Sequence, residues 1–598
     1  MTLPVGRAWI CAGLSALAAL ILVLRLGLCA NRFSPTNDEP ADVGAAVSMC
    51  EAGKSIAGVS HPPLARWVPA IALYLDGVRL PQCRGRTTIE KEDTAYALGT
   101  IALYQSAKPM RTILLHARLL MLMFPLIGLL YVHLLTRHVA GNWQATLAVI
   151  FFSLDPTLLG HALWVCDDVA AAVGFLAGVY YLMRWLEKPT PGRAAVAGLA
   201  VGLAIAIKFN CALLLPVLAV LILIRRKSLG SISGSLHRDT GLRPVLVVQE
   251  NQASSSSDET RTGRRPVSQT GVAMLLRHGL IAAVVAFFAI WATYLFNIGP
   301  LGDQNVIGHP AAWEHLPSFV RNTPVPMPSF FLGFARQMEH NHLGQGGYLN
   351  GQMSPRGWWY YFPEVLVIKS PISSVLAVLA SAGIWLFYGP RLDRATQFTL
   401  VPAVVYLLIS MTGHLDLGVR YALPIIPLLY AFCAIQLFRR TPTRWLLLLL
   451  MVGTAVETIG QGPDFIPFFN AAVGGPVGGQ RLAADSNVGW GESVYALADW
   501  IKSHHATDYA VRLSNSRQLP LLRVAGIDPE SMSRDVHGRL LFVDVNAMLI
   551  QGRLGWLRQF QPIGRIGSYI NVYDLRGVHE SPDRPDDPVT ADDPAERK

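Results

Sequence analysis

Charge is scarce in this sequence. Only 15% of its 598 residues are Asp, Glu, Lys or Arg and 52% are apolar, where an average soluble domain carries roughly 25% charged residues. A shortage of that size excludes a single solvated core and points to a bilayer. Ligand frameworks are missing too: the seven cysteines show no Cys-x-x-Cys or Cys/His spacing, which argues against zinc and iron–sulfur centres. His340 and His342 follow Glu339 two residues apart, a spacing that does not turn both rings to one side of a helix, so no metal pair is assigned there. Cys50 and Cys83 share one loop and either pair or stay free. No glycine-rich phosphate loop and no Asp-x-Asp at the end of a soluble strand is present. The net charge of +10 does not indicate nucleic acid, because Lys and Arg sit at the ends of apolar runs rather than in a basic stripe with interleaved aromatics.

What is abundant is long apolar sequence. Crossing the hydrocarbon core takes roughly 20 apolar residues in a helix, and about eleven segments approach that: 8–28, 113–135, 142–157, 168–186, 194–208, 210–225, 279–297, 371–388, 396–412, 418–438 and 444–460. The first has the alternative of a cleaved signal peptide, but Leu28-Cys29-Ala30 is a poor small-residue cleavage site. Arg7, Arg137, Arg184, Lys188, Arg225, Arg226, Lys227, Arg277, Arg391, Arg439 and Arg440 fall on one side when the spans alternate. Basic residues are retained inside, so the amino terminus is expected in the cytoplasm and the chain in the plasma (inner) membrane. Loops 29–112 and 298–370, and everything after about residue 461, then lie outside. The expected fold is mainly α, a polytopic helical membrane protein with about eleven transmembrane helices plus a small extracytoplasmic α/β C-terminal domain.

The expected division is a transmembrane unit over 1–460, an outside α/β domain over 461–577 and a disordered tail over 578–598. Residues 228–270, rich in Ser, Gly and charge, read as a disordered cytoplasmic insertion. Helical periodicity runs from Glu492 to His504, and Tyr509–Leu513, Leu540–Val545 and Tyr569–Tyr573 look like strands.

The candidate chemistry lies at the outer ends of the spans. Thr36-Asn37-Asp38-Glu39-Pro40 places two carboxylates just beyond the first span, a position that attracts functional suspicion. Val43, Val47 and Cys50 share one helical face, and Leu64, Val68, Ile71 and Leu75 another, so this loop is expected to hold helices lying on the membrane surface. His61-Pro62-Pro63 between them holds an imidazole near headgroup level. Asp167 and Asp168 begin a later span, either lining a polar cavity or capping the helix. Lys208 is a snorkelling terminus or a phosphate ligand. Arg420 lies outside, against the positive-inside trend. The aromatic run from Gly357 to Pro363 either binds sugar or anchors its loop at the interface, and Asp485 and Asn487 are expected to form turns.

Asn37-Asp38-Glu39, then His61-Pro62-Pro63-Leu64, then Asp168-Val169 resembles the phospholipid-carrier-dependent glycosyltransferases of the protein O-mannosyltransferase and aminoarabinose transferase type (family 39-like, GT-C membrane fold). Gly344–Ser354, Gly357–Pro363, Lys369-Ser370-Pro371, Gly418-Val419-Arg420-Tyr421 and Asp485–Gly491 follow in the same order, so the resemblance runs from about residue 30 to 505. It implies a polyprenyl-phosphate-linked sugar donor and an acceptor hydroxyl on protein, lipid or envelope glycan. It further implies Asp38 as general base, with Glu39 and Asp168 in the catalytic set. His61, which stands where the aminoarabinose branch has Lys, is implied at the donor phosphate with Lys208 and Arg420. Asp167, Tyr348, Trp358, Trp359 and Tyr360 are the candidate substrate contacts. No cofactor is required, and a divalent metal has no support. Displacement at an anomeric carbon needs a carboxylate to take the acceptor's proton and cations to hold the leaving phosphate, which these residue types supply. The rival readings are a multi-span transporter and a lipid-binding scaffold; against the transporter, the two halves of the chain show no similarity.

Overall fold

The computed structural model describes residues 5–53, 55, 57–80, 93–225, 267–302, 316–388, 390, 392–550 and 554–578. The insertion expected over 228–270 therefore lies almost wholly outside the described residues, as do Cys83 and the tail after residue 578. Cys50 is an exposed free thiol.

Every segment read as a span falls on a helix. Five of these helices are long and apolar enough to cross a membrane: Ala8–Cys29, Met110–Ala140, Asp168–Glu187, Met274–Thr293 and Thr441–Gln461. Two bent pairs raise that to seven: Asn142–Leu154 with Pro156–Ala162, bent by 64°, and Tyr361–Lys369 with Ile372–Phe387, bent by 120°. Both breaks precede a proline, Pro156 or Pro371, whose ring disfavours helical geometry in the residue before it. Shorter apolar helices occupy Pro191–Ile207, Phe209–Arg225, Arg394–Ser410 and Ile425–Phe438.

Burial orders the bundle. Helix Asp168–Glu187 is 83% buried and central, whereas Met274–Thr293 is only 11% buried and peripheral. Small residues let helices approach closely, as they do between membrane helices generally. A Cβ at Gly198 would lie 2.2 Å from the Ala282 carbonyl oxygen, and one at Gly202 would lie 2.7 Å from the Ala286 Cα. Helices Glu39–Ala52 and Asp93–Tyr104 are equally close, since a Cβ at Gly44 would lie 1.9 Å from the Ala95 carbonyl oxygen.

After the last long helix the chain forms helix Val494–Ser503 and a four-stranded sheet. Its strand order is Tyr509–Arg512, Leu540–Asp544, Ile570–Asp574, Gly564–Ile566; the first pair is parallel and the others antiparallel. Side chains alternate between faces along a strand. Accordingly Val511, Phe542 and Val572 join the main core, while Ala510, Leu541, Val543 and Tyr573 pack with Val536 and Leu557 on the other face. Gly564–Ile566 is a strand that alternation did not announce, being three residues long.

Candidate active site

Two neighbouring acids part company at residue 38. Glu39 is fully buried, and its two oxygens accept from Arg118 Nε at 2.9 Å and Nη2 at 2.6 Å, from the Val165 amide at 3.0 Å and from the Thr36 amide at 3.0 Å. The Glu39 amide donates in return to Thr36 Oγ1 at 3.3 Å, a reciprocal arrangement of the kind that fixes helix starts. Arg118 is itself buried, and its remaining donors reach the carbonyls of Ala30, Phe33 and Ser34. Glu39 thus clasps the loop to helix Met110–Ala140, with four donors converging on its two oxygens.

Asp38 stays half-exposed, with 46% of its side chain accessible, and its Oδ2 accepts from Arg420 Nη1 at 2.7 Å. Arg420 lies 3.8 Å from Asp168 Oδ2. Lys208 Nζ donates to Asp168 Oδ1 at 2.5 Å and to Asp167 Oδ1 at 2.8 Å, and His61 Nδ1 meets Asp167 Oδ2 at 2.9 Å. The result is one chain of alternating sign, Asp38–Arg420–Asp168–Lys208–Asp167–His61, drawn from five separate parts of the sequence. Three carboxylates face two permanent cations and one imidazole, and such burial is tolerable only because each charge is paired. Burial opposes ionisation of Asp167, but Lys208 and then His61 overcome it and hold that carboxyl well below the usual range. Asp42, hydrogen-bonded by Arg66 Nε at 2.9 Å, is pushed up to about 6 by burial.

Two rings wall the cations. The Arg420 guanidinium lies 4.5 Å from the Trp490 ring centre and Lys208 Nζ 4.9 Å from that of Tyr421, both within cation–π range. Trp490 belongs to a strap, residues 485–494, that joins the two sides of the site. At one end Ser486 Oγ donates to the Leu417 carbonyl at 2.5 Å and the Val419 amide to Asn487 Oδ1 at 3.0 Å, fixing the turn that carries Arg420. At the other end the Asn37 amide donates to the Trp490 carbonyl at 2.7 Å and the Val494 amide to Ser34 Oγ at 3.0 Å. Gly491 has φ +96°, and a Cβ there would lie 2.1 Å from Gln518 Nε2 and 2.7 Å from Asn37 Oδ1, so only glycine fits. Asn546 from the sheet domain accepts from the Asp485 amide at 2.8 Å and donates to the Gly489 carbonyl at 3.0 Å.

Asp485 forms the expected turn, with φ +60°, and burial raises its carboxyl, opposed by Arg420 and reinforced by Asp38. It is therefore a further acid in the field of this cluster. The aromatic candidates have partners of their own. Tyr348 is buried and donates to the Arg481 carbonyl at 3.3 Å, and the Trp358 amide donates to Asp416 Oδ2 at 2.6 Å. Trp359 is 68% exposed and Tyr360 36%. Among the described residues none of these four has a hydrogen bond or ion pair to the charged chain, nor do three or more His, Cys, Asp or Glu side chains gather as a metal site.

Arg118, Trp490 and Tyr421 were not singled out from sequence. Arg118 carried a signal, a lone cation inside an apolar segment that must have a partner; the two rings carried none.

Residues 110–237 match the family model for dolichyl-phosphate-mannose-protein mannosyltransferase. The chain resembles that family of membrane glycosyltransferases. The matched stretch holds Asp167, Asp168 and Lys208 and leaves Asp38, His61 and Arg420 outside it. Among solved structures the chain is similar to ArnT from Cupriavidus metallidurans bound to undecaprenyl phosphate, at 12% identity and TM-score 0.43 over 94% of this chain and 97% of that one. It is also similar to the Archaeoglobus fulgidus oligosaccharyltransferase in complex with zinc and sulfate, at 10% identity and TM-score 0.42 over 91% and 69%. Likenesses this distant carry no argument about the chemistry of this chain. No curated protein sequence matches the chain.

Proposed function

We propose that this chain transfers a sugar from a polyprenyl-phosphate donor to an acceptor hydroxyl at the outer face of the membrane, with Asp38 as general base. The observation that carries this reading is the half-exposed Asp38 carboxylate held 2.7 Å from Arg420 at the open end of a buried chain of paired charges. The acceptor oxygen gives its proton to Asp38 and bonds to the anomeric carbon as the bond from that carbon to the phosphate oxygen breaks. The departing phosphate gains negative charge, which Arg420, His61 and Lys208 are placed to offset. Lys208 is already committed to two carboxylates, so in this reading the Arg420 guanidinium and the partly exposed His61 imidazole exchange partners with the phosphate. Asp168 holds Lys208 and faces Arg420, and so positions both cations rather than accepting the proton.

The layout belongs to the same proposal: a transmembrane unit over 1–460 with its amino terminus in the cytoplasm, and the sheet domain over 461–577 outside. The loops bearing Asp38 and His61 then share a compartment with Arg420 and the strap. The exposed Trp359 and Tyr360 serve as interface anchors in this reading.

The test is Asp38→Asn. The amide keeps the shape but accepts no proton at neutral pH, and positioned general bases contribute roughly 10²–10⁴-fold. Mass spectrometry of outer-envelope glycoconjugates should show the protein-dependent product with the parental chain and its loss with Asp38→Asn, at equal membrane insertion. An Asp38→Asn chain that makes the product at the parental level removes the base from Asp38.

A further inference from the structure

Outside the charged cluster, one face of helix Pro328–Leu343 is an unexplained apolar surface. Phe331, Phe334 and Met338 are 41%, 42% and 48% exposed, and their spacing of three and four residues puts them in one stripe. The opposite face is packed. Ser329 Oγ donates to the Ser55 carbonyl at 2.9 Å, Leu332 is buried against Val59, and a Cβ at Gly333 would lie 2.0 Å from the Val59 carbonyl oxygen. Gln337 and Glu339 flank the stripe, and Arg336 and His340 lie behind it. Large apolar side chains left in a row on a protein exterior mark a contact surface.

Both ends of this helix are tied to the ends of membrane helices. At its start, strand Ile298–Pro300 pairs with Pro324–Pro326, and the Met327 amide donates to the Asn297 carbonyl at 2.8 Å. Asn297 lies just past the end of helix Val267–Thr293. At its finish the His414 amide donates to Asn341 Oδ1 at 3.1 Å and the Gln345 amide to the His414 carbonyl at 3.2 Å; His414 lies just past helix Arg394–Ser410. Sixteen residues span about 24 Å at the helical rise, so this element bridges two span ends and is held at their level. The stripe is joined to helix Met274–Thr293 through rings, Phe331 meeting Phe330 at 5.6 Å and Phe330 meeting Tyr294 at 6.1 Å, and that helix and the turn after it expose Leu280, Phe288, Phe296 and Ile298 at 66%, 50%, 56% and 59%.

We infer that helix Pro328–Leu343 is an interfacial helix, lying along the outer leaflet with Phe331, Phe334 and Met338 in the acyl boundary and its polar flanks among the headgroups. An amphipathic helix with large apolar residues on one side and charge beside it takes that position in lipid. Its occupant is the bilayer rather than a protein, because the stripe extends a surface that the bundle already presents to lipid. The position has a consequence for the charged cluster. The Phe330 and Phe334 rings meet the Phe209 ring at 5.4 and 5.7 Å, and Phe209 directly follows Lys208. The depth of this helix therefore sets the headgroup level against which Lys208 stands.

The test reads depth without any substrate. Spin labels are placed singly at Phe331→Cys, Met338→Cys and His340→Cys in a full-length chain carrying Cys50→Ser and Cys83→Ser. The protein is reconstituted in nanodiscs of phosphatidylethanolamine and phosphatidylglycerol, and collision rates with oxygen and with a water-soluble nickel chelate are compared. Labels at 331 and 338 should favour oxygen severalfold over the label at 340. Adding Phe334→Glu should shift the label at 338 toward the chelate. Labels at 331 and 338 that the chelate reaches as readily as it reaches 340 overturn the inference. So does dipolar broadening between labels in nanodiscs holding two copies, which would make the stripe a protein contact. A chain with no transferase activity but with this depth pattern would refute the proposed function and leave the helix where it is.

Discussion

Replacing Glu39 by glutamine separates folding from chemistry at adjacent residues. In the parent, four donors converge on the two carboxylate oxygens: Arg118 Nε and Nη2, and the amides of Val165 and Thr36, all between 2.6 and 3.0 Å. Glutamine keeps one acceptor oxygen and turns an NH₂ group toward the other two donors. Arg118, with 1% of its side chain exposed, would then be left buried with its charge uncompensated. Removing one partner of a buried pair costs about 3–5 kcal/mol, a large fraction of the roughly 5–15 kcal/mol that holds a domain together. The assay is thermal unfolding of the detergent-solubilised chain alongside product formation per folded molecule. Glu39→Gln should lower the unfolding temperature clearly and leave transfer per folded molecule near the parental value. Combining it with Arg118→Met should recover part of the loss, because no unpaired charge remains. A Glu39→Gln chain as stable as the parent but without transfer would refute the clasp and return Glu39 to the reaction.

Two other outcomes are expected. Burial pushes Asp416 up to about 6, above the unfolded value of about 4, so the folded state favours its protonated form. Its stabilising contribution is complete below about pH 4 and is lost as pH rises through about 6; Asp416→Asn should flatten the fall in unfolding temperature over that window, and an unchanged slope would show the carboxyl titrating normally. For topology, a reporter active only outside should work when fused after residue 470 and fail within 228–270, and the reverse would take Asp38 and Arg420 out of the compartment proposed for them.

The parts of the fold that depend on composition and period were legible. Apolar runs became helices, and the alternating stretches at 509–513, 540–545 and 569–573 became strands with ends shifted by a residue at most. The bend at Pro156 was not separated from the run over 142–157, although proline supplied the reason, whereas Pro371 stood at the start of its run. Within the site, Asp38, Asp168, Lys208, His61 and Arg420 do converge, with Asp38 and Arg420 382 positions apart. Asp38 and Glu39 are adjacent acids with unlike surroundings, one half-exposed and one buried. The distinguishing signal was Thr36, three residues earlier, which with Glu39 makes a helix-start pair. The aromatic run was ambiguous for a physical reason: Trp and Tyr serve sugar binding and interface anchoring equally well, and only position tells them apart.

The strap over 485–494 gives the site an order of construction. Asp38 is made before Asp167, Asp168 and Lys208, and Arg420 arrives much later. The ring that covers Arg420 and the bonds that link its turn to Asn37 come last, and they are anchored by Asn546 from the final sheet. A nascent chain that has placed all its membrane helices therefore still holds an unwalled collection of charges. The cluster gains its wall only once the strap is in place, and Asn546 ties that strap to the strands made after it.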